Sequence, residues 1–156
     1  MAYPSGTLQA ISAEQTYELR HCVLRPGQPI NECVYPLDRA PDTYHAGYFI
    51  DGALVGVGTV FREARDTQAT QNCWRVRGMA VAEHLRGSGI GGKLLQALIT
   101  YAAGQGLPGE IWCNGRVSAQ AFYKRYGFVP GSAIFEIPGT GPHIVFYRAL
   151  TSNDLA

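Results

Sequence analysis

The residues that most openly suggest chemistry are the run Arg86-Gly87-Ser88-Gly89-Ile90-Gly91-Gly92-Lys93, which follows an apolar strand-like segment and opens a helical one. Free N–H groups at a helix start, next to glycines that let a ligand approach the backbone, form an anion site. The helix dipole alone is worth roughly 0.3–1 kcal/mol there, and about 2 when partly buried. Four glycines within six residues cost backbone entropy that a plain turn rarely spends. Three patterns overlap. Gly87-x-Gly89-x-x-Gly92 is a dinucleotide fingerprint, but that motif wants an acid at the end of the next strand, and Glu110 stands at its start. Gly87-x-x-x-x-Gly92-Lys93 is nearly a nucleotide P-loop, but Leu94 replaces the Ser or Thr that would hold magnesium. The third is Arg86-x-x-Gly89-x-Gly91.

A second cluster lies downstream, in Asn114-Gly115-Arg116-Val117-Ser118-Ala119-Gln120-Ala121-Phe122-Tyr123-Lys124-Arg125-Tyr126-Gly127-Phe128. Taken alone, Tyr123 between Phe122 and Tyr126 reads as packing. Acid–base candidates are scattered: Glu83 near the loop, His45 and His143, and Glu32, Asp38 and Asp42 in a proline-rich stretch. Each has a plainer reading, as a solvated acid or a structural histidine. Arg75 and Arg77 alternate with Trp74 and Val76, which predicts one solvated sheet face.

These residues need elements to position them. Ser12 and Gln15 have capping-box spacing and start a helix over 13–24 that stops before Pro26. Four prolines make 25–43 a loop region with room for one short helix. Segments 44–50 and 53–61 are strands joined by the hairpin dipeptide Asp51-Gly52. A polar loop over 62–72 leads to a strand over 73–81, in which Gly78 signals a bulge or a close backbone approach. After the glycine loop, Ile90, Leu94, Leu95, Leu98 and Tyr101 repeat at helical spacing. A short strand over 110–113, a helix over 117–126 stopped by Gly127, and strands over 128–137 and 143–150 complete a mixed α/β pattern.

Bulk composition narrows the class. A length of 156 residues suits one domain over 1–156, and 46% hydrophobic residues suffice for a core. The net charge of +1 gives no support to a nucleic-acid binder. Cys22, Cys33, Cys73 and Cys113 form no zinc or redox spacing and read as buried free thiols. No secretory signal or run of about 18 apolar residues is visible, so a soluble cytoplasmic protein that needs no membrane is expected.

The strand ending Arg77-Gly78-Met79-Ala80-Val81 and the Arg86-x-x-Gly89-x-Gly91 loop resemble motif A of the GNAT family of N-acetyltransferases. Asn114 with Ala119, Phe122, Tyr123, Tyr126, Gly127 and Phe128 resembles the family's motif B. The likeness covers residues 44–150 well and the first helix more loosely. A weaker likeness to the ElaA-type branch rests on Leu19-Arg20 with Val23, on Asp38, Asp42 and His45, and on Pro142-His143-Ile144. The resemblance implies a mixed, mostly antiparallel twisted sheet with helices on both faces and a splayed central strand pair. It implies acetyl-CoA as co-substrate and no metal. The pantetheine arm would pair with Met79, Ala80 and Val81, and the pyrophosphate would sit on Arg86, Gly87, Ser88, Gly89, Ile90, Gly91 and Gly92. Asn114 and Phe122 would flank the cofactor. Tyr123 would protonate the leaving thiolate, the Val81 N–H would polarise the carbonyl of the tetrahedral species, and Glu83 would be the acid nearest the loop that could act as base. The acceptor would be a small-molecule or peptide amine. Neutralising a lysine-like amine at pH 7 costs about 4–5 kcal/mol. A homodimer is common in the family. The competing reading is a non-catalytic acyl-CoA-binding module.

Overall fold

The computed structural model describes residues 5–66 and 72–155. Tyr3, expected as an ordinary core or surface residue, and residues 67–71 of the expected polar loop lie outside the described residues. In chain order the elements are β1 (Thr7–Ala10), α1 (Ala13–Leu19), β2 (Tyr44–Ile50), β3 (Ala53–Arg62), β4 (Cys73–Val81), α2 (Ile90–Gly104), β5 (Gly109–Arg116), α3 (Gln120–Arg125), β6 (Val129–Pro130), β7 (Phe135–Ile137) and β8 (Gly141–Leu150). A wider helical turn, Arg20–Leu24, prolongs α1, and Ile30–Cys33 forms the short helix allowed in the proline-rich stretch.

The capping box starts α1: the Gln15 N–H donates to Ser12 Oγ at 3.3 Å, and the Ser12 N–H donates to Gln15 Oε1 at 2.8 Å. Asp51 and Gly52 both take positive φ, 49° and 80°, as a tight hairpin with matching strand twist requires. The resulting strand order is β1-β2-β3-β4-β5-β8-β6, with β7 also on β8. Every pairing is antiparallel except β4 with β5.

Helices cover both faces. An added Cβ at Gly56 or Gly58 would come within 2.9 Å of Leu94 or 3.2 Å of Leu98, so α2 sits tightly on that face. Thr59, which points the other way, meets Arg20 at the end of α1. The larger core lies under α2, where Leu94, Leu95, Leu98, Ile99, Trp74 and Ile111 are sealed from solvent.

Two features shape the centre of the sheet. β4 and β5 pair only from Cys73 with Glu110 to Arg75 with Trp112, so residues 76–81 and 113–116 diverge without a partner across the gap. On the other side of β4, Thr59 pairs with Arg77 and Val57 with Ala80, which leaves Gly78 and Met79 opposite Gly58 alone. This is a bulge, and Gly78 adopts φ +70° there. A close approach accompanies it: a Cβ on Gly78 would stand 2.8 Å from Arg20 Nε.

Several expectations are corrected. β1 was not foreseen. β5 extends to Arg116, well beyond 113. The strand expected over 128–137 is two short strands, β6 and β7, pairing with the middle and the start of β8 respectively. The final helix is six residues long, because Val117–Ala119 forms a separate tight turn. Cys22 is exposed, whereas Cys33, Cys73 and Cys113 are buried, and all four are free thiols.

Candidate active site

The glycine loop leaves a helix start without a cap. Gly89 is the N-cap of α2 with φ +88°, and no side chain satisfies the first-turn N–H groups. The main-chain donors of Gly89, Ile90, Gly91 and Gly92 therefore lack the intrahelical acceptors that later residues have. Gly87, at φ +80°, and Gly89 have nothing within 4 Å of where a Cβ would stand, so open space faces them. Ser88 is turned inward: its N–H and its hydroxyl both donate to the Leu85 carbonyl. The Arg86 side chain is exposed at the rim of the neighbouring cleft.

The last two glycines serve packing. A Cβ on Gly91 would touch the Phe122 ring at 3.7 Å, and one on Gly92 would overlap the Tyr126 hydroxyl. α3 thus lies directly against the start of α2. Motifs A and B meet through these two contacts.

The gap between β4 and β5 is a cleft of about 440 Å³, with Met79, Val81, Asn114 and Tyr123 in its wall. The Ala82 N–H donates to the Val55 carbonyl at 2.8 Å across an opposed pair. Bonded and non-bonded pairs alternate in an antiparallel ladder. Val81, opposite Gly56, is therefore the non-bonded position, and its N–H points away from β3 into the gap. Ala80 is buried, its main chain pairs with Val57 of β3, and it does not line the cleft.

Tyr123 is held by aromatic packing on three sides: stacked on Phe146 at 5.0 Å, and edge-on to Phe122 at 5.2 Å and Phe128 at 5.7 Å. Gly115 makes room for it, since a Cβ there would lie 2.7 Å from the Tyr123 ring and 2.6 Å from Phe146. The Cys113 thiol neighbours the phenol and couples to it electrostatically. Burial pushes the Tyr123 pKa well above its usual 10, and Cys113 adds to the effect. Burial likewise raises the Cys113 thiol to about 12, against the smaller opposing pull of the Tyr123 phenol. Tyr123 is accordingly a neutral phenol with a proton to give at any working pH.

The other wall is basic. Arg25, Arg75, Arg77, Arg86 and Arg116 line the cleft with His143, and no Asp or Glu does so among the described residues. The expected solvated face for Arg75 and Arg77 is thus corrected: both are half-buried and face the cleft. Arg75 donates to Glu63 at 2.6 Å, while Arg77 stacks on the Tyr35 ring at 4.0 Å. Asp38, expected as a solvated acid, is 4% exposed and grips the fully buried Arg20 with two hydrogen bonds of 2.7 and 2.9 Å. Its partner stands 18 positions away, beyond any local pattern.

The two histidines separate cleanly. Arg20 donates to Thr59 Oγ1, so the Thr59 hydroxyl proton goes to His45 Nδ1, and His45 Nε2–H donates to the Asp38 carbonyl at 2.9 Å. His45 is a fixed, neutral structural group, and burial lowers its pKa. His143 lines the cleft, and its Nδ1 lies 2.8 Å from the Gly141 carbonyl, which can only accept. The Nδ1 proton is therefore committed, and the lone pair of the neutral ring is on Nε2. Glu83 is exposed on the turn before the loop and is not part of the cleft wall. Glu32 is also exposed, and Asp42 pairs with Arg62 at the surface. Arg25, Tyr35 and Arg116 were not foreseen in the cleft. The charge alternation of β4 was the one signal that could have pointed to its basic wall.

The acetyltransferase (GNAT) family model matches residues 10–128. The uncharacterised N-acetyltransferase YitI of Bacillus subtilis (strain 168) is 34% identical over 146 residues, which cover 94% of this chain and 97% of YitI. Among solved structures, Escherichia coli ElaA superposes with a TM-score of 0.76 at 19% identity, covering 92% of this chain and 99% of ElaA. An aminoglycoside 6'-N-acetyltransferase complexed with coenzyme A superposes with a TM-score of 0.72 at 13% identity, covering 93% and 97%. These two likenesses concern the fold.

Proposed function

The chain belongs to the GNAT family and is an N-acetyltransferase; from that premise we propose that it transfers the acetyl group of acetyl-CoA directly to a primary amine in the β4–β5 gap, with Tyr123 as general acid. The observation that carries this reading is the convergence on one unpaired gap of a proton-bearing phenol, Tyr123, and a strand N–H without a strand partner, Val81. The co-substrate supplies a reactive thioester on a long flexible arm. The chain's task is to extend that arm and aim it.

The uncapped N–H groups of Gly89 to Gly92 and the open space at Gly87 fit a diphosphate, with Arg86 adding charge at the rim. Phe122 walls the loop. Met79, Val81 and Asn114 border the gap along which the arm would run, and the edge of β4 can pair with an extended ligand as a strand would. The Val81 N–H meets the carbonyl oxygen as negative charge develops. Tyr123 gives its proton to the departing sulfur, as its raised pKa keeps the phenol protonated until then. For the amine's proton, His143 Nε2 is the free acceptor in the cleft wall. Glu83 faces solvent, so it supports this role less well than His143.

The test is thiol release from acetyl-CoA over a panel of primary amines. Tyr123→Phe should lower kcat by about 10²- to 10⁴-fold, the usual worth of positioned proton transfer, with the KM for acetyl-CoA retained. Undiminished turnover in that variant would refute the role of the phenol. Retention of CoA with no thiol release on any amine would refute transfer itself.

A further inference from the structure

Building on the transfer reading above, we propose that the acceptor amine carries a carboxylate, and that Arg77 receives it on the α1 side of the cleft, with Arg25 nearby. The chain has 13 basic and 12 acidic side chains, nearly balanced, yet among the described residues five arginines and no acid line this one cleft. A polyamine or other multiply charged cation entering it would meet like charge without a compensating acid.

The arginines are not equivalent. Arg75 is engaged by Glu63. Arg86 stands at the glycine loop, where the diphosphate would need it. Arg20, behind the wall, is neutralised by Asp38. Arg77 has neither an ion pair nor a hydrogen bond from its side chain among the described residues. Its one fixed partner is the Tyr35 ring, at 4.0 Å, which also carries Arg20 at 3.9 Å. A stacked guanidinium keeps its edge N–H groups available for a planar carboxylate. Burial and then Arg75 work against the charged form of Arg77, only partly offset by Tyr35 and Glu63, so an incoming anion stabilises a charge that no ion pair within 4.0 Å holds among the described residues. The bulge contributes here, because it directs Arg77 and Gly78 to the Tyr35 side while Val81 faces the gap.

The same field would assist the nucleophile. Nearby arginines disfavour an ammonium and favour the neutral amine. A cleft lacking a carboxylate base can therefore still present a reactive acceptor. Its volume of about 440 Å³, shared with the thioester end of the co-substrate, suits a compact amino acid more than a large amine.

The test uses matched pairs, alanine with alaninamide and phenylalanine with phenylalaninamide, plus spermidine, in the thiol-release assay. The acids should exceed their amides by about 10- to 100-fold in kcat/KM, the range expected for hydrogen bonds to a charged group. Arg77→Gln should erase that ratio by raising KM for the acids alone, leaving KM for acetyl-CoA unchanged, and Arg77→Lys should restore part of it. Amides or spermidine performing as well as the acids would overturn the inference. So would an Arg77→Gln variant that loses activity on acids and amides alike, or one that raises KM for acetyl-CoA. A variant-free measurement guards against misfolding: the CoA-loaded wild-type protein should gain thermal stability from the acids and not from the amides, and equal gains would count against the site. An acid-specific gain without turnover would refute transfer while keeping the carboxylate site. Turnover on amides with no preference for acids would do the reverse.

Discussion

Asp38→Asn removes one charge and one acceptor atom from the most enclosed ion pair among the described residues. Asp38 Oδ2 accepts from Arg20 Nη1 at 2.7 Å and from the Tyr35 N–H at 2.8 Å, and Oδ1 accepts from Arg20 Nη2 at 2.9 Å. An asparagine can offer its oxygen to only one of these positions. Its NH2 group then faces a donor at the other. The side chains of Arg20 and Asp38 are 0% and 1% exposed, so solvent cannot screen the orphaned guanidinium. Breaking such a buried pair costs about 3–5 kcal/mol. For a chain of this length roughly 2–4 °C of Tm accompanies each kcal/mol, which gives a fall of about 6–20 °C. Thermal and denaturant unfolding of Asp38→Asn and of Asp42→Asn would measure it. Asp42 and Arg62 are 54% and 40% exposed, and that control should move Tm by no more than about 2–4 °C, because surface pairs contribute about 0–1 kcal/mol. A loss in Asp38→Asn no greater than in the control would refute the reasoning, and would mean that water or a backbone shift satisfies Arg20.

Two further outcomes follow from the same geometry. Burial holds His45 below its ordinary 6.5, so in acid the unfolded chain takes up a proton more readily than the folded one. Its share of stability is complete above pH 6.5 and is lost as the pH falls from there toward the folded value. His45→Gln should therefore show a shallower loss of Tm below pH 6.5 than the wild type, and parallel curves would contradict the neutral, buried ring. Gly115→Ala would press a methyl group against the rigid rings of Phe146 and Tyr123. Overpacking of this kind costs about 1–3 kcal/mol, and here it should also lower kcat by displacing the phenol, as denaturant titration and thiol release would report. Wild-type values in both would show that the rings yield freely.

Features encoded by neighbouring residues were the ones legible in the sequence. The capping box at Ser12, the hairpin at Asp51-Gly52, the bulge at Gly78 and the uncapped start of α2 each depend on a few adjacent positions, and each lies where the pattern put it. What the sequence hid depends on distant partners. β1 is exposed at all four positions and its polar–apolar alternation runs for only four residues, too short a signal apart from its pairing with β2 at the sheet edge. Arg75 and Arg77 look solvated in a strand pattern, since the pattern cannot tell water from a cleft on the polar face. Asp38 looks like a loop acid until Arg20 closes on it. Likewise, Phe128 is buried in the core while Val129 and Pro130 form a separate exposed edge strand, a division that depends on where β8 runs. The candidate site follows the same rule. The loop and Tyr123 could be named in advance, whereas the basic wall with Tyr35 and Arg25 required the proline-rich segment to fold over β4.

The extra residue in β4 shifts the phase of the strand halfway along its length. Before it, side chains address whatever enters from the α1 side; after it, the main chain addresses the opposite strand's vacant place. On the proposed reading, a single backbone thus addresses two different molecules without either constraint falling on the same atoms. On that reading, the group that would recognise one of them can be exchanged while the amide that would activate the other stays where it is.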